Sequence, residues 1–411
     1  MARFVALVAA LAAFCLAPGL AAPTSDTYHQ LLQKAQADPS AAFEEFARLH
    51  GKPYLADAAE YNRRHVIFQA NLAKIAAHNS QPGVTFQLGL NAHADLSAEE
   101  FRLRYFGLKP QDLAALREAE EAALGREGRS KKGKPGRGKP FPYGDEVPPE
   151  RRDWREDGRV TPVKDQHVGG APCGCCYAFG GMAGVEAANA LYTGELTTLS
   201  EQEIVDCDEL DYGCDGGDFS NVFEWVMRHG AVSDKHWPYK AHETSCSRKE
   251  RRMMRREVAV TIDGFVNVPK HNETALMQAV AHTPTVVAVC CGDYLDQWHL
   301  YKSGVMGDSV QCTRPLDHSV LAVGYDTDKE TGEQFWLVKN SWGESWGEGG
   351  YVRLKRNQTQ RDGQAGLATF PGYAFKTSPN PGQKLRAGLP QGAGSLLAGA
   401  WEQLTSWLTR S

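Results

Sequence analysis

From Thr24 to Lys109 apolar and polar residues recur at helical spacing. Glu60, Arg64, Phe68, Asn71, Ile75 and Asn79 are separated by steps of 4, 4, 3, 4 and 4, which sets all six on one face of a helix. A second helical pattern begins at Cys176, where Tyr177-Ala178-Phe179 leads into Met182, Val185, Ala187 and Leu191 and Gly194 ends the run. Residues 219 to 229 repeat it more briefly. Further on the period shortens, and Val258 to Val266, Thr285 to Val289, Ser319 to Tyr325 and Phe335 to Lys339 read as strands.

The remaining segments build no core. Arg3, the apolar run Phe4 to Leu16 and the small pair Ala21-Ala22 make residues 1–22 a secretory leader rather than a membrane span. Residues 110–146 form a linker. Its first part, Asp112 to Leu124, suits a short acidic helix, and then Arg126, Arg129, Lys131, Lys132, Lys134, Arg137 and Lys139 alternate with Gly and Pro as an exposed tether open to cleavage. In the tail, 376–411, a Pro/Gly-rich stretch precedes Leu396, Leu397, Ala400, Trp401, Leu404, Trp407 and Leu408 at helical spacing. That stripe suits docking on protein better than on a membrane surface, and it is too short to span a bilayer.

A chain of 411 residues exceeds one ordinary domain, and 42% hydrophobic with 23% charged residues is soluble globular composition. The net charge of −5 gives no case for nucleic-acid binding, although 13 histidines would move it upward in an acidic compartment. A leader makes disulfides allowable and makes Asn272-Glu273-Thr274 and Asn357-Gln358-Thr359 candidate glycan acceptors. The cysteines lack metal-ligand spacing, so neither a metal nor a cofactor is expected.

Candidate chemistry centres on Cys173-Gly174-Cys175-Cys176-Tyr177-Ala178-Phe179. A cysteine at a helix N-terminus is favoured as a thiolate by unpaired amides and the dipole. His318 heads one strand-like run and Asn340 ends another, so two strand ends can bring a base and its orienter together.

These residues, with Asp153-Trp154-Arg155, Val160 to Gln166, Leu199-Ser200-Glu201-Gln202-Glu203 and Cys214-Asp215-Gly216-Gly217, resemble the papain-like cysteine proteases of the cathepsin L-like group. The Glu60 to Asn79 face resembles that family's inhibitory propeptide signature. Gly89-Leu90-Asn91-Ala92-His93-Ala94-Asp95 resembles its second motif, with His93 where phenylalanine is usual. The resemblance implies an α+β, two-lobed papain-like fold, with a helical left lobe and a β-rich right lobe at 147–375. It also implies a helical prodomain at 23–109 acting as an intramolecular inhibitor, its following segment running backwards through the cleft. A buried imidazole at His93 would make release of that prodomain sensitive to acid, because a charged ring is costly to bury.

The resemblance further implies Cys176 as nucleophile, His318 as general base, Asn340 as its orienter shielded by Trp342, and Gln166 as oxyanion donor. Disulfides map as Cys173–Cys214 and Cys207–Cys246. Cys312 sits where a right-lobe bridge is usual, but its mate position is Ala365, so that bridge is expected to be absent, and Cys175, Cys290 and Cys291 are unallocated. Substrate contacts fall on Gly216, Gly217, Asp218, Phe219, Ala288, Leu316, Asp317 and Phe370, with Asp218 at the pocket rim. The implied protein is a monomeric zymogen that cleaves polypeptides internally, in a lysosome-like compartment or after secretion. Three departures stand out: Cys175 before the nucleophile, Tyr177 after it, and nine residues between Gln166 and Cys176, more than the family usually has. They motivate the alternative of a catalytically impaired homologue that binds or regulates; the intact Cys, His, Asn and Gln set opposes it.

Overall fold

The computed structural model describes residues 23–108, 140–167, 172–307, 312–313, 315–357 and 361–383. The leader, the basic run of the linker and the amphipathic stripe of the tail lie outside them.

The N-terminal region is helical, with helices Ser25–Ala37, Pro39–Leu49, Ala58–Asn79 and Ala98–Tyr105. The longest starts at Asp57, whose carboxylate accepts the Ala59 and Glu60 amides, a side-chain cap that satisfies donors the helix leaves open. Its signature face is buried at Arg64, Phe68, Asn71 and Ile75. The polar members bond both carboxylates and main chain. Arg64 bonds Glu60 at 2.7 Å, Glu100 at 2.9 Å and the Asp95 carbonyl at 3.0 Å. Asn71 Nδ2 donates to the carbonyls of Ala94 (2.9 Å) and Leu96 (2.8 Å), while Asn79 pairs both amide groups with the backbone of Leu88. The helix thus shapes the 88–96 loop. Asn71→Ala would leave two buried carbonyls without a donor, at about 1–3 kcal/mol each. Thermal unfolding of the isolated 23–108 segment should register that loss, and an unchanged midpoint would reject this account.

Among the described residues one nine-stranded sheet runs in the order Phe86–Leu88, Tyr301–Met306, Tyr351–Lys355, Gln334–Lys339, His318–Thr327, Thr285–Val289, Pro371–Phe375, Gly264–Asn267, with Arg152–Asp153 also paired to His318–Thr327. Its edge strand belongs to the N-terminal region: Phe86–Leu88 pairs antiparallel with Tyr301–Met306. No local pattern announces that strand, because three residues acquire strand geometry here from the partner edge. Against the sheet lies the helix Cys176–Thr193, ended by Gly194 at φ +78°. Its close approach needs glycine. A Cβ at Gly184 would stand 2.8 Å from Val286 Cγ2, and one at Gly180 would collide with Ser319 Oγ.

The run predicted as one strand from Val258 to Val266 is two. Val258–Val260 pairs with Ala231–Val232, whereas Gly264–Asn267 joins the large sheet beside Pro371–Phe375. Between them Asp263 turns away, its carboxylate taking the Thr377 and Ser378 amides at 2.6 and 2.9 Å. An apolar run records burial, not which sheet buries it.

Among the described residues three disulfides are present: Cys173–Cys214, Cys207–Cys246 and Cys290–Cys312. The third joins two cysteines whose state the sequence leaves open, giving Cys312, whose usual mate position is Ala365, a different partner in Cys290. Cys290 lies beside Ala365, its amide donating to the Ala365 carbonyl at 3.0 Å. It therefore reaches Cys312 from the neighbouring strand end. Cys175, Cys176 and Cys291 are free and buried.

Candidate active site

Cys176 is the first residue of its helix and is buried under the N-terminal region. Burial pushes its thiol up to about 11, against the pull of backbone hydrogen bonds from Ser319, Gly107 and Leu108. His318 begins the strand packed on that helix. Its Nε2 lies 2.8 Å from Asn340 Oδ1, which also accepts the Ser341 amide at 2.8 Å. Two donors converging on one oxygen fix the amide's orientation, so Nε2 carries the proton and Nδ1 is left as the basic nitrogen. Burial lowers the imidazole to about 4, partly offset by Asn340 and the Tyr105 carbonyl. Trp342 covers the pair with ring centroids 4.7 Å apart.

Gln166 arrives on a segment anchored by Lys164, whose ammonium bonds Glu186 at 2.8 Å, Glu201 at 2.6 Å and the Leu199 carbonyl at 2.9 Å. The Gln166 side chain is itself held. Its Oε1 accepts Ser341 Oγ at 2.8 Å, which turns Nε2 toward the cleft, where it donates to the Tyr105 carbonyl at 3.0 Å and the Cys173 carbonyl at 3.3 Å. Gln166 Nε2 is thereby held against the carbonyl of Cys173, three residues before Cys176.

The N-terminal region closes this cleft with main chain. Gly217 N–H donates to the Gly107 carbonyl at 3.0 Å and Leu108 N–H to the Asp317 carbonyl at 3.2 Å. Gly107 must be glycine, since a Cβ there would collide with the Gly174 carbonyl. Its second motif docks just beyond. His93 Nε2 is 3.0 Å from the Trp342 carbonyl and its Nδ1 3.1 Å from the Tyr105 hydroxyl, while His299 Nε2 is 2.8 Å from the His93 carbonyl.

Phe219, Ala288, Leu316 and Phe370 are all buried, and the Phe219 and Phe370 rings meet at 5.0 Å. Gly216 holds φ +114° just before Gly217. Asp218 departs from the rim position expected of it. Only 1% exposed, it caps the helix Phe219–His229, its carboxylate accepting Ser220 N and Oγ at 2.7 Å. Asp317 is likewise engaged by main chain, taking the Cys291 and Gly292 amides of the loop after Thr285–Val289 at 2.7 and 2.8 Å, and burial raises it to about 6. Asn272 is exposed as the cap of helix Glu273–His282, and Asn357 is exposed after Tyr351–Lys355. Sequence reasoning passed over Ser341 and Tyr239, which hold Gln166; Tyr239 carries no local signal, because its role depends on a residue 73 positions away.

A thiol at a helix start, an imidazole oriented by an amide and a second amide donor aimed into the same cleft define a thiol hydrolase with its own blocking segment in place. A papain family cysteine protease model matches residues 148–375 and a cathepsin propeptide inhibitor domain (I29) model matches residues 43–101. The senescence-specific cysteine protease SAG12 of Arabidopsis thaliana is 36% identical over 371 residues, covering 89% of this chain and 96% of that protein. Cysteine proteinase RD21A of the same plant is 38% identical over 351 residues, covering 85% and 69%. Among solved structures, digestive procathepsin L 3 from Tenebrio molitor larval midgut superposes with a TM-score of 0.68 at 31% identity, covering 82% of this chain and 99% of that one. A recombinant stem bromelain precursor does so at 0.68 and 32%, covering 83% and 99%. The chain belongs to the papain family of cysteine proteases and carries its own inhibitory propeptide domain.

Proposed function

We propose that this chain is the latent form of an endopeptidase in which Cys176 is the nucleophile, His318 the acid and base, and Asn340 the residue that orients the imidazole. Gln166 Nε2 and the Cys176 amide serve as oxyanion donors. The observation that carries this reading is the placement of Tyr105 to Leu108: their main chain takes up Gln166 Nε2, Gly217 N and the Asp317 carbonyl directly over the thiol. Those groups are the ones a substrate backbone needs. Main chain lying in the cleft keeps substrate out, which accounts for latency, and burial disfavours charge on both the thiol and the imidazole.

Once the prodomain leaves, water reaches both groups and the proton passes from Cys176 to His318. The thiolate adds to the scissile carbonyl, and the oxyanion is met by Gln166 Nε2 and the Cys176 amide, each donor worth about 3–4 kcal/mol in the transition state. His318 protonates the leaving amine as the C–N bond breaks, giving a thioester. It then takes a proton from the water that hydrolyses this intermediate, and the acid product leaves. Acid treatment of the purified proform followed by titration with a thiol-directed epoxide tests the assignment. One reactive site per chain, lost in the His318→Ala variant, is expected; full activity of uncleaved proform at pH 7 overturns latency.

The leader pattern, the three disulfides and the exposed sequon asparagine Asn272 support a route through the secretory pathway to an acidic vacuole or the exterior. Among the described residues no helix is long and apolar enough to cross a membrane.

Substrate choice rests on the apolar pocket. Leu, Val or Phe two residues before the scissile bond should gain about 1.5–3 kcal/mol by burial between Phe219 and Phe370. An Arg there meets no available carboxylate, since Asp218 and Asp317 are both engaged by amides. Profiling with a mixed fluorogenic library should show the aliphatic and aromatic preference with cleavage inside chains. Dominant selection of Arg, or release of terminal dipeptides alone, would reject it.

A further inference from the structure

The oxyanion donor Gln166 is gripped at a third point that no motif marks. Tyr239 Oη donates to the Gln166 main-chain carbonyl at 2.8 Å, and Cys175 Sγ lies 2.9 Å from the same hydroxyl. A carbonyl has no proton to give and a hydroxyl has one, so the order is fixed: the Cys175 S–H donates to Tyr239, and the Tyr239 O–H donates to Gln166. Burial raises both the thiol and the phenol well above their ordinary ranges, which keeps both protonated as this order requires. Cys175 is the N-cap residue of the helix that begins with Cys176, and its side chain makes no capping bond because the tyrosine engages it. The Tyr239 ring stands edge-on against Phe179 of that helix at 5.0 Å.

The relay joins the two halves of the oxyanion hole. One donor is the amide of Cys176, next to Cys175; the other is the side chain of Gln166, whose carbonyl Tyr239 holds. A long connection between Gln166 and Cys176 leaves their separation poorly fixed through the chain itself, because a longer loop has more ways to span the same gap. Ser341 fixes Gln166 to the β-rich side through its N–H, which reaches the Ser341 carbonyl at 2.9 Å, and through Oε1. Tyr239 holds its main-chain carbonyl from the helical side, where the Cys173 carbonyl also accepts from Nε2 at 3.3 Å. A misplacement of about 1 Å in a transition-state donor lowers the rate without weakening ground-state binding to the same degree.

We infer that Tyr239 is a positioning residue for the oxyanion hole, acting through Gln166, with Cys175 as the hydrogen-bond donor that orients its hydroxyl. This rests on Gln166 being an oxyanion donor, as proposed above. The function of Cys175 is then neither nucleophilic nor redox. A serine in its place, which keeps an O–H donor, would preserve it.

The test uses enzyme matured from the full-length chain, comparing wild type with Tyr239→Phe, Gln166→Ala, the double variant and Cys175→Ser. For Tyr239→Phe, kcat should fall about tenfold with KM within about twofold, while alkylation of Cys176 by iodoacetamide, which forms no oxyanion, proceeds at the wild-type rate. Gln166→Ala should lose about 10²-fold or more, and adding Tyr239→Phe to it should cost nothing further, since the tyrosine then has no donor left to position. Cys175→Ser should stay within about twofold of wild type. An unchanged kcat for Tyr239→Phe beside an impaired Gln166→Ala overturns the relay alone. Full additivity in the double variant, or a matching fall in alkylation rate, overturns it as well by placing the effect on the thiol or the fold. An undiminished Gln166→Ala enzyme removes the oxyanion reading, and the relay's role with it.

Discussion

Peptidase activity should fall by on the order of 10⁴-fold or more when Cys176 is replaced by alanine, because no other group in the cleft can form the acyl intermediate. The neighbouring Cys175→Ser protein should remain active. Both thiols are buried and adjacent, so reactivity is decided by direction. Cys176 is overlain by the Gly107 and Leu108 amides, where a substrate would lie, whereas Cys175 is committed to Tyr239. Removal of one sulfur from the start of a helix packed on all sides leaves the fold standing, and the thermal midpoint of Cys176→Ala should lie within a few degrees of wild type. Hydrolysis of a fluorogenic peptide checks the pair of variants. A dead Cys175→Ser beside an active Cys176→Ala would mean the nucleophile is misassigned.

Prodomain release should be steep in pH, driven by two imidazoles buried at the interface of prodomain and protease. His93 belongs to the prodomain and His299 to the protease, and both rings are fully buried in the latent state. Around His93 stand the Tyr105 hydroxyl, the Trp342 carbonyl, the Lys52 ammonium and the His167 imidazole, whose Nε2 accepts from Arg104 at 2.8 Å. Around His299 stand Phe101, stacked at 4.5 Å, the His93 carbonyl, Asp296 with its partner Lys74 at 2.7 Å, and Asp95. Burial holds His93 well below the usual 6.5 and His299 at about 4. A base whose pKa is depressed in the closed form binds its proton more readily once released. The closed form is therefore fully favoured above about pH 6.5 and loses ground as pH falls below it. A ring that returns to the usual range on release weakens closure by about tenfold per pH unit, so His93, which leaves with the prodomain, contributes about tenfold at about pH 5.5, and His299 adds to this as far as it is uncovered. His93→Phe should lower the pH at which latent proform becomes active by about half a unit or more. The mature enzyme no longer contains residue 93, so any shift belongs to the proform. An unchanged activation pH in His93→Phe would dismiss the ring as a sensor.

These outcomes separate what was readable in the chain from what was not. The Cys176 helix was legible because its apolar period and terminal Gly194 are local facts, and so was the signature face of Ala58–Asn79, whose steps fix a single stripe whatever lies opposite. The strand runs from Thr285 and Phe335 were legible for the same reason. By contrast, the split of Val258–Val266, the edge strand Phe86–Leu88 and the Cys290–Cys312 bridge depend on partners many residues away. Asp218 shows the limit most plainly: its position suggested a pocket rim, yet the amide of Ser220 two residues on captured its carboxylate as a helix cap.

By itself the sequence determined the kinds of groups available, the helices that carry them and the order in which they occur, since periodicity, capping and reactive side-chain chemistry are properties of short stretches. Only the tertiary structure decided which groups face one another: Tyr239 and Ser341 on Gln166, the Tyr105–Leu108 main chain over the thiol, His299 beneath the His93 carbonyl. Those contacts join segments far apart in the chain, and their geometry is set by how helix and sheet pack rather than by any residue's immediate neighbours.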